Sequence, residues 1–204
     1  MIPSKYIENA VNEMASLQGV GRRTALRYVL ELINRSDADI ERFAKALLEL
    51  KTHVHICSIC HNLSDEEVCT ICRSPSRDQK TICVVEDIRD VMAIESTGQY
   101  QALYHVLNGK ISPIDGVGPS DLNVGSLLSR MNERPVEEVI LALSPTMEGD
   151  TTSFYLFKKL SAFEGLKITT LSRGVAVGDE LRHADEITLG RSILHRTPYH
   201  GSLQ

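Results

Sequence analysis

Two Cys-x-x-Cys hooks, Cys57-Ser58-Ile59-Cys60 and Cys69-Thr70-Ile71-Cys72, lie eight residues apart. Each hook lets two thiolates face one point. The polar loop between them, His61 to Val68, can turn back but cannot hold a core of its own. Four thiolates around one point suit tetrahedral Zn²⁺, and four protein ligands leave no open position, so the expected site is structural. A pair of redox dithiols is the competing reading, but a redox pair usually comes as a single hook beside a βαβ unit. His53, His55 and His61 lie nearby and read as solvated or as hydrogen-bonding support for the thiolates. So small a module cannot fold on apolar burial, and its folding energy must come from the metal.

The cysteines also divide the chain. Before them the sequence reads helical; after about residue 80 it alternates strands and helices. Ile7, Ala10, Val11 and Met14 recur at helical spacing, entered near Ser4. Leu17-Gln18-Gly19-Val20-Gly21-Arg22-Arg23 follows, and then a second helix with Ala25, Tyr28, Val29, Leu32 and Ile33 on one face. Two helices joined by Gly-Val-Gly form a helix-hairpin-helix unit, with Val20 turned inward. Glycines let the main chain approach a phosphate, and the amides of the second helix present its positive end. Gly19, Gly21, Arg22, Arg23 and Arg27 are therefore the candidate DNA-binding residues. The plainer alternative is an ordinary αα-hairpin with glycine in its turn. Ile40, Phe43, Ala44, Leu47 and Leu48 form a third apolar stripe, suited to core or to a dimer contact.

Net charge is −5, which looks unfavourable for nucleic acid until its distribution is read. Residues 1–80 hold 11 basic and 11 acidic side chains, so the excess acid lies beyond them. Residues 17–27 hold three arginines and no acid. A local basic spot can bind phosphate on an acidic protein. No apolar run approaches the roughly 20 residues of a membrane span. The first residues, MIPSKYIENA, carry no signal-peptide pattern. The expected location is the cytoplasm, in association with the nucleoid. Cys83, outside the hooks, reads as a small buried hydrophobe.

Residues 73–80 (RSPSRDQK) read as a polar linker. Apolar strands are expected at 82–85, 103–107, 139–143 and 168–171, with helices near 87–96, 123–131 and after Asp150. The last helix should carry Phe154, Leu156, Phe157 and Leu160, and residues 108–122 form a long loop. Such alternation argues a mostly parallel, doubly covered sheet. Sites in such sheets lie beyond the strand C-termini, so Glu86, Asp87, Glu148 and Asp150 are the acids to weigh.

The order of modules, with SRDQKTICVVED (76–87), LYHVLNGKISPIDGVGP (103–119), SPTMEGDTTSFYL (144–156) and residues 173–192, resembles the RecR family of recombination-repair proteins over essentially the whole chain. The resemblance implies a multi-module α/β protein. Residues 1–52 would form the helix-hairpin-helix region and 53–76 the four-cysteine zinc finger. Residues 77–175 would form a Toprim domain, and 176–204 a C-terminal segment with a possible oligomer contact. It further implies a non-enzymatic mediator that binds duplex and gapped DNA, forms a ring-like tetramer, and works with RecF and RecO to load recombinase. The rival is a Mg²⁺-dependent Toprim nuclease or strand transferase using Glu86, Glu148 and Asp150. In catalytic Toprim proteins an Asp-x-Asp follows a later strand; here Glu148-x-Asp150 lies five residues past the strand end and is expected in a loop. The four acids are instead expected to recognise a partner, with RecO the first candidate.

Overall fold

The computed structural model describes residues 4–175, 178 and 180–198 and divides into two compact units, residues 1–54 and 55–204. Of the C-terminal segment expected at 176–204, residues 176, 177, 179 and 199–204 lie outside the described residues. No helix among the described residues is long and apolar enough to cross a membrane.

The first unit is helical: α1 (Lys5–Ala15), α2 (Arg22–Ile33) and α3 (Asp37–His53). Val11 of α1 packs on Ala25 and Val29 of α2, with Ile7, Ala10, Met14, Val20 and Leu26 around them. Val20 turns inward as expected. Ser36 caps α3 by accepting from the Asp39 amide, and Lys51 and His53 close its negative end. The α3 stripe is not core among the described residues: Phe43, Ala44, Leu47 and Leu48 are exposed, as is Leu50 beside them.

The second unit opens with a two-stranded antiparallel ribbon, β1 (His55–Ile56) and β2 (Leu63–Ser64), and a single helical turn, α4 (Thr70–Arg73). Then come β3 (Asp78–Val85), α5 (Ile88–Ser96), β4 (Ala102–Val106), α6 (Val124–Glu133), β5 (Glu138–Ala142), α7 (Met147–Leu160), β6 (Lys167–Thr170) and α8 (Glu186–Leu194). The sheet is wholly parallel in the order β4-β3-β5-β6. Alternate residues of β3 serve its two faces, as strand geometry requires. Ile82 and Val84 join Leu127 and Met131 of α6 and Leu156 and Leu160 of α7. Cys83 and Val85 join Val91 of α5, Tyr104 and Ala142. Burial pushes the Cys83 thiol up to about 12, consistent with a packing role.

Two expectations need correction, and the faces of α7 are resolved. Residues 78–80 are strand and not linker, because Asp78 opens β3 with its amide bonded to the Gln101 carbonyl at 2.9 Å. Only the last four residues of β3 are buried, so hydrophobicity marks only part of it. On α7, Leu156 and Leu160 face the core, whereas Phe154 and Phe157 are exposed. Finally, Glu148 and Asp150 lie in the first turn of α7 and not in a loop. Thr146 caps that helix through the Gly149 amide, and two acids there suit the positive helix end.

Gly149 is required by space. A Cβ there would lie 2.0 Å from the Ser144 carbonyl oxygen. Gly149→Ala should therefore force α7 away from the end of β5 and cost about 1–3 kcal/mol. Thermal unfolding checks this; an unchanged midpoint contradicts the close approach.

Candidate functional site

Three features carry chemistry. The first is the hairpin. Gly19 holds φ +81°, a conformation open to glycine, and turns the chain between α1 and α2. Gly21 is the N-cap of α2 at φ −74° and has open space where a Cβ would stand. No side chain caps α2 and no acid lies in its first turn, so its amides and positive end face outward. The three arginines differ. Arg22 donates to Asn12 Oδ1 at 2.7 Å and lies 3.4 Å from Glu8, so part of its charge is spent on α1. Arg23 and Arg27 are exposed and border a shallow cleft of about 400 Å³ with Thr24, Leu26 and Leu30. The Arg27 guanidinium lies 5.5 Å from the centre of the Tyr28 ring, which orients it without neutralising it.

The second is the four-thiol centre. The sulfurs of Cys57, Cys60, Cys69 and Cys72 all lie within 4.8 Å of one another. Tetrahedral zinc–thiolate bonds place sulfurs about 3.8 Å apart, so the cluster fits the ion. Cys57, Cys60 and Cys69 are buried, and the Cys69 and Cys72 amides donate to Cys57 and Cys69 sulfurs at 3.3 and 3.4 Å. Such amide donors stabilise thiolate. Four sulfurs this close cannot all ionise unaided. The hydrogen bond shared by the Cys60 and Cys69 sulfurs, 3.5 Å apart, lowers the pKa of Cys69 and raises that of Cys60. A dication removes that conflict. The zinc is structural, and it supplies folding energy with no open coordination position. His53 and His55 are exposed. His61, at φ +61°, faces the sheet: its Nε2 lies 2.7 Å from Ser126 Oγ on α6, and its ring meets His105 edge-on at 5.3 Å. Burial lowers the pKa of both rings, His105 to about 3, so each packs in its neutral form.

The third is the acidic edge of the sheet, where the structure divides the four acids. Glu86 follows β3, is mostly buried, and accepts from the Ser144 amide at 2.7 Å. Lys110 reaches it: Nζ lies 3.9 Å from Glu86 Oε2 and 3.3 Å from Thr146 Oγ1, with Glu148 also in its field. Asp87 is instead the N-cap of α5, accepting from the Arg89 amide at 2.7 Å; the Arg89 guanidinium holds its carboxyl low. Asp150 turns to Arg173 at 2.6 Å, which lowers its pKa likewise. Lys110 thus stands beside Glu86 and acts on Glu148 only through its field, while Asp87 and Asp150 have other partners. Sequence reading missed Lys110; the glycine-rich loop holding it gave no periodicity from which its direction could be read.

Hairpin, thiolate centre and parallel sheet together define a Toprim protein built with a helix-hairpin-helix and a structural zinc finger. Residues 7–51 match the RecR helix-hairpin-helix, 54–74 the four-cysteine zinc finger domain of RecR, 80–172 the Toprim domain and 174–197 the RecR C-terminal region. The recombination protein RecR of Bacteroides thetaiotaomicron is 55% identical over 201 residues, covering 98% of both chains. That of Flavobacterium johnsoniae is 57% identical over 196 residues, covering 96% of this chain and 95% of the relative. That of Porphyromonas gingivalis is 55% identical over 202 residues, covering 99% and 97%. The chain belongs to the RecR family of recombination proteins.

Cys57→Ser should release the metal and unfold residues from about 53 to 75, since comparable zinc peptides draw on the order of 10 kcal/mol from the ion. Metal analysis and proteolysis check this. Purified protein that lacks stoichiometric zinc and folds normally in chelator contradicts it.

Proposed function

We propose that the chain is a DNA-binding recombination mediator with no catalysis of its own, acting in the cytoplasm in association with the nucleoid. It would bind duplex and gapped DNA, and work with RecO and RecF to load recombinase at single-strand gaps in DNA repair. The observation that carries this is the exposed pair Arg23 and Arg27 at an uncapped helix N-terminus free of acids. Charges so placed contact phosphate and position the protein without reading sequence. A ring-like tetramer would repeat the hairpin around the DNA. The exposed α3 stripe of Phe43, Leu47, Leu48 and Leu50 is a suitable contact for that assembly. In the tetramer every hairpin loss is multiplied by avidity.

Arg23→Ala and Arg27→Ala should each weaken duplex binding similarly across sequences and lower the salt slope by about one. Arg22→Ala should do less to DNA and more to the α1–α2 packing, given its bonds to Asn12 and Glu8. Titrations at several salt concentrations decide. Unchanged binding by the Arg23/Arg27 double variant would place the DNA site elsewhere.

The second reading, a Mg²⁺-dependent nuclease or strand transferase, draws on Glu86 and Glu148, which both feel the Lys110 charge. Lys110 weighs against it, because its ammonium supplies the positive charge that a divalent ion would bring. A tethered ammonium cannot coordinate or activate water. No cleavage, joining or synthesis is therefore expected in Mg²⁺ or Mn²⁺. The acids are assigned to partner recognition, with a basic face of RecO as the partner surface. Glu86 also holds the Ser144 amide, so Glu148 is the cleaner probe. Glu148→Lys should impair RecO binding and leave duplex binding intact. Nicking by the wild type that disappears in Glu86→Gln would overturn this assignment in favour of the nuclease.

A further inference from the structure

The loop after β4 turns most of its apolar side chains inward and one outward. Ile111 and Leu122 are buried and Val117 is half-buried, whereas Ile114 is 94% exposed. A single exposed isoleucine is ordinary on a mobile loop. This one sits on a tightly held turn. Ser112 and Val117 exchange both backbone bonds, at 3.0 and 2.9 Å. The Asp115 amide donates to the Ser112 carbonyl at 3.2 Å, and Ser112 Oγ donates to Asp115 Oδ2 at 2.6 Å. Gly116, at φ +72°, closes the turn.

The turn is also pinned to α7. The Ile111 amide donates to buried Thr152 Oγ1 at 2.8 Å, and Lys110 reaches Thr146. Beside Thr146, at the first position of α7, Met147 is 84% exposed. The bonds to Thr152 and Thr146 bring the base of the turn and the start of α7 to one surface, where the Asp115 and Lys110 charges both reach the Glu148 carboxylate. That surface is apolar at Ile114 and Met147. Asp115 and Glu148 neighbour these two residues in the chain, with Glu86 and Lys110 nearby.

We propose that Ile114 and Met147 form a preformed apolar knob that seats in a protein partner's apolar pocket rimmed by lysine or arginine. Because the turn is already held, little order is lost when Ile114 is buried, and that is the property of an anchor residue. The neighbouring acids select a basic rim and repel the phosphates of nucleic acid. The inference rests on the reading of the acidic edge as a partner surface and adds the apolar contact to it.

The test uses the full-length zinc-loaded protein with purified RecO as probe, and compares Ile114→Asp, Ile114→Val, Met147→Ala and Glu148→Lys. Ile114→Asp should weaken RecO binding by about 30-fold or more, on the scale of interface anchors. Met147→Ala should weaken it less, and Ile114→Val should bind nearly as the wild type does. Thermal midpoint and duplex affinity should stay unchanged in Ile114→Asp. If Glu148→Lys weakens binding and Ile114→Asp does not, the knob is overturned and the acidic-edge reading stands. If only Ile114→Asp weakens it, the knob stands without its acidic rim. Full RecO binding by both variants overturns both ideas, and a loss of duplex affinity in Ile114→Asp makes the loop a nucleic-acid contact instead.

Discussion

The free edge of β4 is the constraint on which the second unit depends. An outer strand exposes unpaired backbone groups, and an uncovered edge invites pairing with another chain. Ala102, Tyr104 and Val106 point those groups away from β3, and their three carbonyls and the Val106 amide are met. Arg77 donates to the Ala102 carbonyl at 3.2 Å and Arg130 to the Tyr104 carbonyl at 2.7 Å. The Val106 amide donates to the Cys60 carbonyl at 2.8 Å, and Asn123 donates to the Val106 carbonyl at 3.0 Å. One of these four partners is the backbone of a zinc ligand. The finger is therefore an edge cap, and the order imposed by the metal is passed directly to the sheet. Ile71, between Thr70 and Cys72, packs against the thiolate cluster and both faces of the sheet. The left-handed turn at His61 sends its ring to Ser126, adding a side-chain bond to the backbone one.

This arrangement explains what could be read from sequence alone. Cysteine spacing fixes a ligand geometry locally, so the zinc centre was legible. Val84, Leu103 and Leu141 belong to strands covered on both faces, so their apolar runs were legible too. The exposed start of β3 was not, because only pairing with its neighbours makes residues 78–81 a strand. Glu148 and Asp150 resembled loop residues because acids, glycine and threonine suit helix starts as well as turns. Which of Phe154, Leu156, Phe157 and Leu160 is core was not legible, because periodicity cannot say which neighbour covers a face. Arg130 is buried to serve a carbonyl 26 residues away, a role that no local pattern encodes.

Charge is likewise organised locally, and the net value of −5 conceals it. Most acids of the second unit are already committed. Asp87 and Asp185 cap helices, Asp150 pairs with Arg173, and Glu95 joins Arg77 at 2.6 Å while accepting from Tyr104. Carboxylates held in this way contribute little long-range field, which limits the penalty that an acidic chain imposes on approaching phosphate. The hairpin has the opposite arrangement. Of its three arginines, one is committed to α1 and two are left to solvent beside a bare helix end.

Lys110 is where binding and chemistry part. A hydrolytic Toprim centre needs a cation that binds oxygen ligands, exchanges them, and lowers the pKa of a bound water. An ammonium on a side chain matches only the first requirement, and in part: it offsets Glu86 and Glu148 by charge and donates to Thr146. It has no coordination position to open, and its chain tether keeps its local concentration high against a free ion. With Lys110 in place, the carboxylates would be stabilised as a surface and would have less need of a metal ion. Asp115 is exposed and Glu148 half-buried, next in the chain to the exposed Ile114 and Met147. On the partner-surface reading, the acidic edge of the sheet would serve to hold another protein in place of a metal ion.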